Sequence, residues 1–176
     1  MRRIGSRTVY EGAIATVRVD EFSHEDGSTA TREVVGHPGA VAVVAHDDRF
    51  VHLVRQPREV VGEESLLELP AGKLDVPGEA RLDCARRELA EEAGKSAAEW
   101  RELKRIYTSP GFIEEEVTIY LATELSEVGA LHDPEERIEV VPWPLADLDG
   151  AIEQCLDAKS LIGLTLFAEL RRRGDA

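Results

Sequence analysis

Arg87-Glu88-Leu89-Ala90-Glu91-Glu92-Ala93-Gly94 is the stretch on which the fold of this chain turns. Upstream of it and within it, Leu82, Ala85, Leu89 and Ala93 recur at helical spacing, so a helix is predicted over 79–93, with Gly94 as its stop. On that helix Glu88 and Glu92 are four residues apart and Glu91 is three from Glu88, so the three carboxylates share one face. Like charges so placed cost about 0.2–0.5 kcal/mol per pair on an isolated helix, and something should offset them. The apolar face docks on a sheet and thereby aims the carboxylates in a fixed direction. Fixed hard oxygen ligands suit Mg²⁺ or Mn²⁺, which take one or two carboxylates together with waters and substrate phosphate. A solvated acidic face balanced by Arg86 and Arg87 is the plainer reading of the same residues.

Working outward, the first half of the chain reads as strands. Residues 8–19 mix β-branched and polar side chains, 25–28 form a turn, and 29–35 form a second strand. After His37-Pro38-Gly39, the apolar runs 40–45 and 50–55 flank His46-Asp47-Asp48-Arg49 as a buried hairpin. A short strand at 65–69 enters the loop Pro70-Ala71-Gly72, where glycine lets backbone approach a neighbour closely. Beyond the acidic helix, strands are predicted at 102–107, 116–123 and 138–143, then helices at 145–156 and 160–172. These elements make one mixed α/β (α+β) domain with an N-terminal antiparallel β extension.

Composition narrows the function classes. A chain of 176 residues with 43% hydrophobic and 32% charged residues suits a globular domain with a real core. Its net charge of -14 argues against a nucleic-acid partner, which needs clustered Lys and Arg. A small phosphorylated substrate is still allowed, because cations held by carboxylates invert the local field. Cys84 and Cys155 are too few for a disulfide framework or a thiolate metal site. The arginines near the N-terminus are followed by no apolar run, so no signal peptide is expected, and the longest apolar stretch falls far short of a membrane span. A cytoplasmic location without membrane association is the expectation.

The acidic helix and its approach resemble the box of the Nudix hydrolases, Gly-x5-Glu-x7-Arg-Glu-U-x-Glu-Glu-x-Gly-U, where U is bulky and apolar. Gly72, Glu79, Arg87, Glu88, Leu89, Glu91, Glu92 and Gly94 follow that order. Six residues instead of five separate Gly72 from Glu79, with Val76 or a neighbour inserted, and Lys95 stands at the final apolar position. The resemblance implies a mixed β-sheet sandwiched between helices. It also implies Glu88 and Glu92 as main metal ligands, Glu91 as a possible third and the backbone carbonyl of Ala71 as a further one. Arg87 would orient the glutamates by ion pairing. Two or three Mg²⁺ ions (or Mn²⁺) per site would bridge the glutamates and a diphosphate.

Within that family the chain is similar to the ADP-ribose pyrophosphatase branch. The similarity rests on Val54-Arg55-Gln56-Pro57-Arg58, on Leu67-Glu68-Leu69-Pro70-Ala71-Gly72 and on Ser109-Pro110-Gly111-Phe112, whose proline falls fifteen residues past Lys95. The branch implies Arg58, Glu68, Pro110, Gly111 and Glu115 as substrate-binding residues. It places the catalytic base on an acidic loop after the sheet, here His132-Asp133-Pro134-Glu135-Glu136-Arg137, with Glu136 as first choice for base or loop metal ligand and Glu135 as second. The implied reaction is Mg²⁺-dependent hydrolysis of ADP-ribose to AMP and ribose 5-phosphate.

Enzymes of this branch are commonly homodimers that exchange N-terminal strands. That implies an exchanged extension over 1–36 and a hydrolase domain over 37–176. Arg32 and Glu33 would then reach the substrate of the other subunit. Gly36 replaces an acidic residue often found there, and 13–20 contains no aromatic for adenine stacking. Two alternatives share the box: hydrolysis of GDP-mannose or another sugar nucleotide, and a non-catalytic module that senses ADP-ribose.

Overall fold

The computed structural model describes residues 1–129 and 137–175, which form two compact units. One unit comprises Met1–Gly39 with Ile106–Glu116; the other comprises Ala40–Arg105 with Val117–Ala176.

The larger unit is built on β4 (Ala40–His46), whose residues 40–45 are all buried. A near-continuous apolar run of this kind is what a strand covered on both faces requires. It pairs in parallel with β9 (Glu116–Glu127) and antiparallel with β5 (Phe50–Arg58) and β7 (Ala71–Lys73), so the sheet is mixed. β5 also pairs with β6 (Glu63–Glu68) and with β10 (Glu139–Pro144), while β8 (Lys95–Tyr107) lies beside β9. Pro142 and Pro144 sit in β10 at the end of the strand order, where a missing N–H is tolerated.

Helices cover both faces of this sheet. Helix α1 (Arg81–Ala93) lays Cys84, Ala85, Leu89 and Ala93 against Val41, Val43, Ala45, Tyr120 and Ala122. Full burial of Leu89 alone is worth about 1.5–3 kcal/mol. The helix ends because Gly94 adopts φ 64°, a left-handed conformation in which its N–H reaches the carbonyls of Leu89 and Ala90. On the opposite face Val44 alternates with Val43 and meets α3 (Ala158–Arg173). A Cβ at Gly163 of α3 would lie 2.6 Å from Leu69 and 3.3 Å from Val44 and Ile119, so only glycine permits this packing distance. The sandwiched mixed sheet expected from the resemblance is therefore present.

The smaller unit is an antiparallel sheet of β1 (Arg2–Glu11), β2 (Thr16–Ser23) and β3 (Thr29–Gly36). The strand predicted over 8–19 is in fact the end of β1 and the start of β2. The chain reverses at 12–15, where Gly12 N–H donates to the Ala15 carbonyl at 3.0 Å. The turn predicted at 25–28 is present, with Gly27 at φ 82°. Residues 106–116 belong with these strands through main-chain bonds. Val35 N–H donates to Phe112 O at 2.7 Å, and Glu114 N–H donates to Val35 O at 3.0 Å.

Other boundaries shift modestly. α1 begins at Arg81 rather than 79, and β8 begins immediately after Gly94 rather than at 102. The helix predicted over 145–156 divides into a 3₁₀ turn at Leu145–Asp147 and α2 (Leu148–Gln154). Among the described residues no helix is long and apolar enough to cross a membrane.

Candidate active site

The acidic face of α1 is ordered by one cation. Arg87 donates from Nε and Nη2 to both oxygens of Glu79, at 3.0 and 3.2 Å, and from Nη1 to Glu88 at 2.7 Å and Glu91 at 2.9 Å. The guanidinium thereby offsets the repulsion between Glu88 and Glu91. Hydrogen bonding to Arg87 holds the Glu79 carboxyl below the usual carboxylate range. Glu88 behaves oppositely: burial, helped by the charges of Glu91 and Asp75, pushes its pKa up despite the adjacent guanidinium.

The strand before the helix closes on these groups. Glu92 is buried, and its Oε2 accepts a hydrogen bond from Ala71 N–H at 2.9 Å. The Glu88 carboxyl lies directly over Gly72, at 1.9 Å from where a Cβ would stand. β7 and α1 thus bring Ala71 against Glu92 and Gly72 against Glu88, while Arg87 Nη1 ties Glu91 to Glu88.

These donors fit a hard divalent cation. They are oxygen atoms, and a single guanidinium, Arg87, is shared among Glu79, Glu88 and Glu91 on this face. Among the described residues no three His, Cys, Asp or Glu side chains are grouped to hold an ion. Two carboxylates and a carbonyl are nevertheless within what Mg²⁺ uses when waters and phosphate complete its shell.

Arg58 and Glu68 meet in the same unit. Arg58 donates from Nε to Glu68 Oε1 at 2.6 Å and from Nη2 to Oε2 at 2.9 Å. Glu68 is only 1% exposed, and Lys159 Nζ also donates to its Oε2 at 2.5 Å. Burial raises the Glu68 pKa, but Arg58 and Lys159 outweigh it and the net shift is downward. Asp157 caps α3 by accepting from Ser160 N–H at 3.1 Å, and it also binds Lys159 Nζ at 2.8 Å. Ser160 Oγ accepts in turn from Leu69 N–H at 2.8 Å. One polar network therefore ties the start of α3 to the Glu68-to-Ala71 segment. Sequence reading singles out Arg58 and Glu68 but not Lys159 or Asp157; the one local signal is Asp157 three residues before Ser160 at a helix start.

The remaining candidates lie in the smaller unit. Pro110 and Gly111 are exposed in a turn in which Ile113 N–H donates to Ser109 O at 2.9 Å. Glu115 accepts from Thr108 Oγ1 at 2.7 Å and lies 3.6 Å from His37 Nε2. Arg32 and Glu33 are exposed on β3, with Arg32 donating to the Thr31 carbonyl at 2.7 Å. A cleft of about 490 Å³ is lined by Arg18, Phe22, Arg32, Pro110, Phe112 and Glu114. Sequence reading also passes over Asp20, a buried residue that lines this cleft too. It accepts from Ser6 Oγ at 2.6 Å and Arg18 Nε at 2.9 Å, and the Ser6 bond leads in lowering its pKa. Arg18 is further paired with Glu114. Glu135 and Glu136 lie outside the described residues.

Known proteins resemble this chain in sequence and in fold. Residues 1–35 match the nucleoside diphosphate sugar hydrolase N-terminal domain. The chain is 45% identical over 147 residues to the ADP-ribose pyrophosphatase of Mycobacterium tuberculosis, covering 82% of this chain and 70% of that protein. It is 36% identical over 164 residues to the ADP-ribose pyrophosphatase of Bacillus subtilis, covering 90% and 88%. A crystal structure of an ADP compounds hydrolase superimposes with a TM-score of 0.82 at 27% identity, covering 99% of this chain and 96% of that one. Because the NUDIX domain itself matches over residues 36–159, well beyond half of the sequence and across both β7 and the acidic helix, the chain belongs to the Nudix hydrolase family.

Proposed function

We propose that this Nudix hydrolase cleaves the diphosphate bond of ADP-ribose, giving AMP and ribose 5-phosphate. The observation that carries the reading is its 45% identity to a protein named ADP-ribose pyrophosphatase, in a match that spans 82% of this chain. A divalent cation, Mg²⁺ or Mn²⁺ and as many as two or three per site, would be held by Glu88, Glu92 and the Ala71 carbonyl, with Glu91 in reserve. Bound there, it would neutralise phosphate charge and acidify water.

The side chains divide the remaining work. Arg87 keeps Glu88 and Glu91 from scattering under mutual repulsion. Arg58 offers a guanidinium fork to the diphosphate. Arg32 and Glu33 would reach the adenosine or diphosphate of the substrate held by a second copy of the chain. Pro110, Gly111 and Glu115 would shape a ribose pocket, and Glu68 supports Arg58. In hydrolysis a water oxygen bonds to one phosphorus, and the bridging oxygen leaves with the electron pair. The water proton passes to a base, for which Glu136, then Glu135, is proposed. Most of the rate gain comes from positioning and charge neutralisation, since no covalent intermediate is needed.

A substrate panel tests this. With Mg²⁺ present, ADP-ribose should be cleaved faster than GDP-mannose, ADP-glucose, NADH, diadenosine polyphosphates or nucleoside triphosphates, with AMP resolved by chromatography. EDTA should stop turnover, and added Mg²⁺ should restore it. Preference for GDP-mannose, or binding without cleavage, would reject the assignment.

We also propose that a second copy of the chain covers the N-terminal sheet. Asp20 is the only buried residue of β1, β2 and β3, and Ile4, Val9, Tyr10 and Ile14 are exposed. A three-stranded sheet needs an apolar face packed against something to be stable in water. Light scattering should give twice the chain mass at micromolar concentration. A monomer at that concentration would refute the exchanged extension.

A further inference from the structure

Glu68 is a fully buried carboxylate shared by two cations, and the function above uses only one of them. We propose that Lys159 is a positioning residue for substrate binding: by sharing Glu68 it makes Arg58 present its outer guanidinium edge to the diphosphate. The inference rests on the proposed role of Arg58 as the phosphate fork.

The contacts show how this works. Arg58 grips Glu68 through Nε and Nη2, which leaves the Nη1 edge outside the pair. Lys159 Nζ occupies the same Oε2 that receives Arg58 Nη2. Arg58 therefore cannot slide across the carboxylate and centre both of its Nη groups on it. Lys159 is itself held by Asp157 at the start of α3, so its location is set by a helix and not by a mobile side chain. Cation and anion alternate along Arg58, Glu68, Lys159 and Asp157, and the Glu68 charge is split between two partners. All four line a cleft of about 520 Å³ that is open to a ligand, with Leu156 at its apolar margin. Glu68 ends β6 three residues before Ala71, whose N–H binds Glu92 at 2.9 Å, so the Arg58 partner stands on the segment that leads to the acidic face.

Without Lys159, the whole Glu68 charge falls to Arg58. The guanidinium then recentres on a stronger partner, and a diphosphate must compete for it. Substrate binding weakens, while the groups proposed for bond cleavage are untouched.

The experiment is a double-mutant cycle on Michaelis parameters. Lys159→Met should raise KM for ADP-ribose by about tenfold, the size expected for one misdirected charge-assisted hydrogen bond, with kcat little changed. Arg58→Lys should raise KM at least as much, and the double variant should be no worse than Arg58→Lys alone. Lys159→Arg keeps the cation and should recover most of the affinity. Effects that multiply in the double variant, or an unchanged KM in Lys159→Met, would overturn the inference. Should Lys159→Met fail to fold, Lys159→Gln carries the same cycle. Wild-type turnover separates the two ideas: if another diphosphate is the better substrate, the ADP-ribose reading falls and the cycle is run on that compound.

Discussion

Replacing Glu92 by glutamine is expected to lower kcat by on the order of a thousandfold while leaving the fold intact, the scale seen when a preorganised electrostatic contact is lost. Glu92 is 7% exposed in the last turn of α1, and one of its oxygens already accepts from Ala71 N–H. Glutamine has the same shape, and its amide oxygen can accept that bond, so thermal melting should change little. What it cannot supply is negative charge at the place where a divalent cation is proposed to sit. The apparent Mg²⁺ requirement should rise along with the loss of kcat. Measuring kcat across a Mg²⁺ titration, with a melting curve on the same sample, separates this from unfolding. If the Glu92→Gln variant supported turnover within about tenfold of wild type at millimolar Mg²⁺, Glu92 would not be a metal ligand.

How much of this was legible in advance depends on whether the signal is local. The acidic helix was, because its period, its stop at Gly94 and the spacing of Arg87, Glu88, Glu91 and Glu92 all lie within a few turns. So were β4 and β5, whose short apolar runs predict strands buried in a sheet. The reversal at 12–15 was not. Alternation of polar and β-branched residues continues from β1 into β2, and Gly12 alone is weak punctuation. The membership of 106–116 with the N-terminal strands rests on main-chain bonds from Val35 to residues far along the chain, Phe112 and Glu114, and no side-chain pattern announces them. Lys159 stands 91 residues from Glu68. Spacing rules stop at one element, and such a contact becomes visible only when two elements have packed. Buried Asp20 shows the same limit, since in a strand it reads as the polar face until Ser6 and Arg18 close over it.

Gly72→Ala should damage activity far more than stability, and the reason is space rather than backbone conformation. Gly72 lies in β7 and is not among the residues with positive φ, so alanine could adopt its backbone angles. The added methyl carbon, however, would stand 1.9 Å from both Cδ and Oε1 of Glu88 and 2.5 Å from Cγ. Either the Glu88 side chain swings away or β7 moves off β4, where Gly72 is paired with Val41. The side chain is the softer of the two, so the expected stability cost is about 1–3 kcal/mol. For a chain of this size that corresponds to roughly 2–4 °C in Tm per kcal/mol. Both routes pull Glu88 out of line with Ala71 and Glu92, and a displacement of about 1 Å at reacting groups can cost on the order of a hundredfold in rate. Gly78 provides the opposite control. Its φ is 81° and nothing lies within 4 Å of a Cβ there, so Gly78→Ala strains the backbone without touching a carboxylate. It should lower Tm and leave kcat near wild type, while Gly72→Ala should lower kcat about a hundredfold with the smaller share of its effect on melting. Near-normal kcat in Gly72→Ala would mean that catalysis does not need Glu88 where this fold puts it.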